Sequence, residues 1–159
     1  MTVDKNQAII DYLLQCTDIN GKSIYFNLID ESDDSIQILT TAEDKMMNKP
    51  YIDGSVLKRY TFNIIVFKSI TESPLVTQEG YTNENVDDLA EVQALLDWII
   101  EQKDLQNYPD FGEYCLIDDI DTTTETPRFD GINSEMNPPL AMYSISIVIE
   151  YLDKSKMLW

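Results

Sequence analysis

The 159-residue chain contains no histidine. That removes the commonest general base and the usual activator of a serine or cysteine nucleophile, so catalytic triads are excluded, and most zinc sites with them. Cysteine is scarce. Cys16 and Cys115 form no CxxC pair, so two reduced, buried thiols are expected, as in a cytosolic protein, and not a disulfide framework. Cys16 has Gln15 and Thr17 beside it, and neither is a base. The five glycines are scattered and build no phosphate-cradling loop. Long apolar runs are missing too. The longest, Ile64-Ile65-Val66-Phe67, is far too short to cross a bilayer, and Met1-Thr2-Val3-Asp4-Lys5 lacks the basic and apolar regions of a signal peptide. Neither a membrane partner nor a cofactor is expected.

Positive charge is the last shortage: 11 Lys and Arg stand against 29 Asp and Glu, a formal charge of -18. Such a surface repels phosphate backbones and anionic lipid, so direct gripping of DNA is not expected. The excess acid serves solubility, meets a basic partner, or keeps passing DNA from sticking. Hydrophobic residues at 43% and aromatics at 10% lie above the disordered range, and the length suits one domain, residues 1–159, with a core of its own.

The apolar pattern then places the elements. Ala8, Ile9, Ile10, Leu13 and Leu14 recur at helical spacing over 4–16, with Thr2 or Asp4 as the cap. Ile24, Phe26 and Leu28 alternate, and after the acidic turn Asp30-Glu31-Ser32-Asp33-Asp34 the run Ile36-Gln37-Ile38-Leu39 resumes, which reads as a hairpin. Residues 41–54 are polar and end in the turn Asp53-Gly54. A long strand over 55–70 places Tyr60, Phe62, Ile64 and Val66 on one face and Ile65 and Phe67 on the other, the pattern of a central strand. A helix over 86–105 follows, with Leu89, Val92, Leu96 and Ile99 on one stripe, widened by Leu95, Trp98 and Ile100; Asn85 is its cap and Asn107-Tyr108-Pro109 its stop. Tyr114-Cys115-Leu116-Ile117 is a strand, and 142–152 is the last, with Tyr143, Ile145, Ile147, Ile149 and Tyr151 alternating with polar residues. The fold class is therefore α/β of the α+β kind: a mixed, mainly antiparallel sheet of about five strands flanked by two helices, with long protruding loops. Between the last two strands, residues 120–139 read as a structureless arm marked by Pro127, Gly131 and Pro138-Pro139, either a binding arm or a plain surface loop.

Two carboxylate clusters are the only candidates for metal chemistry. At 30–34 a calcium loop fails, because Ser35 stands where the sixth-position glycine belongs and Thr41 where the bidentate glutamate belongs. Asp118, Asp119 and Asp121 with Glu125 would suit Mg²⁺ only beside a lysine and another strand's acid, and no lysine lies near them in sequence. Solvated polar positions at a strand end explain them as well. The chain is accordingly expected not to be an enzyme.

A resemblance runs through Lys49-Pro50-Tyr51-Ile52-Asp53-Gly54-Ser55, Lys58-Arg59-Tyr60-Thr61-Phe62, Leu96-Asp97-Trp98-Ile99-Ile100-Glu101, Tyr108-Pro109 with Gly112-Glu113, and Ala141-Met142-Tyr143 to Tyr151. In element order and spacing, over most of its length, the chain is similar to the tail terminator proteins of tailed bacteriophages of Gram-positive hosts, also called tail completion or minor capsid proteins. The shared motifs are structural. The acidic turn at 30–34 and the arm at 120–139 depart from the family's pattern.

The resemblance implies a structural virion protein, found in the tail and neck and in host cytoplasm during assembly. It implies a ring, likened to a hexamer, that caps the tail tube, joins the head-completion protein of the connector, and lets genomic DNA pass through its lumen. A head-to-tail ring needs two different complementary patches on each subunit. The two loops are the natural donors, which makes Met46, Met47, Tyr51 and Asp53 in the first, and Asp121, Arg128, Phe129 and Asp130 in the second, the candidate interface residues. Six copies would carry roughly a hundred negative charges, a non-stick lining for DNA. The alternative from charge alone is an acidic decoy that imitates DNA and inhibits a host DNA-binding protein.

Overall fold

The computed structural model describes residues 4–16, 24–26, 36–40, 49–69, 84–133, 135 and 139–156. In chain order these form α1 (Lys5–Leu13), β1 (Ile24–Phe26), β2 (Ile36–Thr40), β3 (Lys49–Pro50), β4 (Val56–Ser69), α2 (Glu84–Leu105), β5 (Cys115–Thr122), β6 (Arg128–Asn133) and β7 (Leu140–Asp153). The sheet runs β1-β2-β4-β7-β5, with β3 added beside β4 and β6 beside β7. All pairings are antiparallel except that of β1 with β2. This is the α+β class and the five-strand path that the alternation predicts, with two short strands added.

Strands β4 and β7 are the backbone of the molecule. Their 14 residues each pair without a slip, from Val56 opposite Asp153 to Ser69 opposite Leu140. Tyr60, Phe62, Ile64 and Val66 on β4 and Tyr143, Ile145, Ile147, Ile149 and Tyr151 on β7 are all buried in one cluster. The central place expected for β4 follows from the same register: β2 lies on one side, β7 on the other, and Phe67 on the opposite face is also buried.

Both helices pack on that apolar cluster. In α1, Ala8, Ile9, Tyr12 and Leu13 are buried, and the Asp4 carboxylate accepts the Asn6 N–H at 3.0 Å to cap the first turn. In α2, Val92, Leu95, Leu96 and Ile99 face inward, and Trp98 lies 5.2 Å from the Tyr12 ring, so the two helices meet over the sheet. Helix α2 begins at Glu84, which puts Asn85 inside the first turn and not at the cap. Its end is set before the Asn107-Tyr108-Pro109 stop: Gln106 takes a left-handed φ of 54°, and the Asn107 and Gln106 amides bond back to the Gln102 and Lys103 carbonyls. That pattern closes a helix terminus and more often uses glycine.

Two further expectations are corrected. The 24–39 hairpin does not form. Ile24 lies opposite Ile36 and Phe26 opposite Ile38 in parallel, and a tight hairpin turn joins only antiparallel neighbours. Alternation specifies a strand and its buried face, and leaves its direction open. The acidic residues 30–34 lie outside the described residues.

The structureless arm at 120–139 is the second correction. β5 runs on to Thr122, and β6 continues along the same side of β7, Arg128 opposite Ser144 and Asn133 opposite Leu140. Outside the strands, the described residues of the arm are 135, 139 and the short excursion 123–127, with the first amide of that excursion bonded to the Ser146 carbonyl at 3.0 Å and Pro127 buried. β5 and β6 thus form one edge strand, interrupted once.

Candidate interaction surfaces

The two ends of β7 present different surfaces. At the C-terminal end of β7, Leu57, Leu152 and Leu116 lie in a cross-strand row, with Leu116 58% exposed and Tyr114 52% exposed beside it. Next to them is the turn that leads into β4. It is tightly built: the Tyr51 amide bonds to the Ser55 carbonyl at 2.8 Å, the Gly54 amide to the Tyr51 carbonyl at 3.1 Å, and Gly54 takes φ 90°, where a side chain would be strained. Asp53 Oδ1 accepts from the Ser55 amide at 3.0 Å and from its hydroxyl at 2.6 Å. Those bonds from Ser55, helped by the Lys154 charge, hold the Asp53 carboxyl below the usual range. The turn projects Ile52, which is fully exposed, with Tyr51 51% exposed beside it.

Toward the N-terminal end of β7, strand β6 exposes Phe129 and Ile132 by about half. Three residues apart in a regular strand, they would point to opposite faces. A slip between Phe129 and Gly131 changes this, placing Phe129 opposite Tyr143 and Ile132 opposite Ala141, two residues of one face of β7. Gly131 makes the bulge possible with φ 124°, a region closed to other residues without strain. Phe129 rests on Tyr143, ring centres 5.6 Å apart. Arg128 projects with 72% of its side chain exposed, and its Nε bonds to Asp130 at 2.6 Å.

The candidate interface residues therefore do not converge. Tyr51 and Asp53 lie at one end of the sheet and Arg128, Phe129 and Asp130 toward the other; Met46 and Met47 lie outside the described residues. Leu152 and Tyr143, nine residues apart on β7, mark a separation of roughly 30 Å at about 3.4 Å per residue. Asp121 lies between the ends and is engaged. Lys103 on the last turn of α2 donates to it at 2.8 Å, with Asp119 at 3.7 Å. The bond to Asp121 outweighs desolvation of the ammonium and, with Asp119, raises Lys103 above its ordinary range. The lysine that sequence distance hides is brought by the fold, and it pairs with these carboxylates directly. Among the described residues no three of His, Cys, Asp and Glu stand close enough to hold a metal. Asp118 falls at the register slip in β5, exposed, and its carbonyl accepts from the Tyr108 hydroxyl.

Cys16 is buried, whereas Cys115 is only half-buried, against expectation, because it lies at the start of the edge strand; burial still pushes its thiol up. An open groove of about 360 Å³ lies between α1 and Tyr108-Pro109-Asp110, lined by Asp4, Asp11 and Asp110 as well as Tyr12. The Tyr12 hydroxyl donates to the Asn107 carbonyl at 2.8 Å, and burial, with Tyr108 close by, raises it well above the ordinary phenol range. That groove is acidic and open.

Ile52, Tyr114, Leu116 and Ile132 carry much of the exposed apolar surface and are missed by pattern reading. The unbroken run Tyr114 to Ile117 holds the only signal: both faces of that strand are apolar, so whichever face the core does not cover is left exposed. Compared with models of known protein families the chain matches none, and no curated protein matches it.

Proposed function

We propose that this chain is a non-enzymatic structural subunit of a bacteriophage tail. It assembles head-to-tail into a ring, with six copies as the expected number, that caps the tail tube and forms part of the joint to the head connector. One structural observation supports the reading: two unlike exposed apolar patches stand at opposite ends of a single rigid pair of strands. Single exposed apolar residues need no explanation, but grouped ones mark interaction sites. Two different patches so far apart suit a heterologous contact, which closes into a ring when the rotation between neighbours allows. The sequence resemblance supplies the place of that ring, and the charge of -18 per copy suits a lumen along which DNA slides.

The test is sizing by light scattering, alone and with purified tail-tube protein, followed by electron microscopy of the tube ends. Rings of uniform mass on capped tubes are expected. A chain that stays monomeric and leaves tube length unlimited overturns the proposal. A salt-sensitive complex with a basic DNA-binding protein, displaced by duplex DNA, would put the decoy reading in its place.

A further inference from the structure

We propose that the Ile52 turn of one copy docks on the β6 bulge of the next, Ile52 against Phe129 and Ile132, with Asp53 of the first pairing with Arg128 of the second. This rests on the ring reading and names the contact that would build it.

Both surfaces present exposed apolar residues, with an acid near one and an arginine near the other. The turn is a preformed knob: two cross-turn backbone bonds, a left-handed glycine and the Asp53–Ser55 bonds hold it, so little conformational freedom is lost on docking. Its tip is a fully exposed isoleucine. The receiving surface is fixed too, because the Gly131 bulge places Phe129 and Ile132 on one side and the Phe129 ring packs beside that of Tyr143. Asp53 follows Ile52 and Arg128 precedes Phe129; Arg128, opposite Ser144, belongs to the other face of the edge strand from Phe129, so its long side chain would meet Asp53 around the edge. Both Ser55 bonds end on Oδ1 of Asp53, and Asp130 holds Arg128 through Nε, so a further partner has the other oxygen and the terminal guanidinium nitrogens to meet.

Charge also selects the second copy and the head-to-tail arrangement. A symmetric dimer through the turn would set Asp53 against Asp53, and like charges face to face are disfavoured at an interface. Knob into bulge instead brings Asp53 toward Arg128, beside the Asp130 that Arg128 already holds. It also places the chain's apolar contact between copies that each carry -18 and would otherwise repel.

The experiment uses Asp53→Arg, Arg128→Asp and the double reversal, with light scattering alone and on tail-tube protein, and circular dichroism and melting to check folding. Each single reversal is expected to weaken self-association about tenfold or more, and the double to restore most of it. A second arm places Ile52→Cys and Phe129→Cys together in a Cys115→Ser background, where mild oxidation should give a reducible ladder ending at the ring. That arm decides the matter if a reversal misfolds. Rings that form normally in the single reversals, or a cysteine pair that yields no ladder while rings form, overturn this contact and leave the ring reading standing. Wild-type protein that never self-associates, with or without tubes, overturns both.

Discussion

Between β4 and β7 the register holds over 14 residue pairs, whereas on the other side of β7 the β5–β6 edge slips at Ile117/Asp119 and at Phe129/Gly131 and interrupts its ladder for 123–127. The two neighbours of β7 face the same partner and differ in what lies beyond them. A slip in β4 would break ladders on two sides and turn the whole Tyr60 to Val66 row away from the core. A slip in the edge breaks one ladder, and the energy of that loss is small enough for the edge to bend, carry charge and present apolar residues outward. Central strands store stability here, and the edge is where the molecule has freedom to acquire a contact surface.

Stability measurements can break that comparison. Phe62→Ala in β4 removes a fully buried ring and should cost about 3–5 kcal/mol in denaturant unfolding. Ile120→Ala is the sharper probe, because Ile120 belongs to the edge strand and is yet 0% exposed. It should cost about 2–4 kcal/mol if face, and not edge, decides burial; a value near zero would mean that β5 detaches in solution. Asp153, where β7 ends, tests the electrostatics. Burial works against its ionisation, but the bonds from Ser155 and the Lys58 ammonium at 2.9 Å outweigh it and bring the carboxyl down to about 2. A carboxyl depressed in the fold stabilises it above the ordinary value of 3.8, and that contribution is lost as pH falls toward 2. Asp153→Asn should therefore be less stable than wild type at neutral pH, with the gap closing between pH 4 and pH 2 in acid titrations followed by unfolding. Smallest of all, Lys103→Met loses only a half-exposed pair with Asp121 and Asp119, about 0.5 kcal/mol or less, and high salt should erase the difference.

The legible part of the fold follows from this contrast. β4, β7 and both helices stand within three residues of where periodicity places them, since each buries one continuous face that must repeat at 2 or 3.6 residues. β6 was illegible because Arg128 to Asn133 has no alternation, and Gly131 reads as a loop residue when it is a bulge. Of the candidate interface, Tyr51, Asp53, Arg128 and Phe129 are exposed and Asp130 is largely covered, but nothing in their spacing says that they occupy opposite ends of the sheet. Asp121 misled for the opposite reason: its partner Lys103 is 18 residues away and on another element.

The amino-acid sequence by itself determined the helices, the two long strands, the faces they bury, and the exclusion of histidine chemistry, because composition and period are local properties. The tertiary structure decided the parallel pairing of β1 with β2, the edge built from β5 and β6, the Lys103 clamp on Asp121, and the separation of Ile52 from Phe129 and Ile132. Each of these depends on which strand lies beside which, and that is set by long-range pairing and burial that no local window contains.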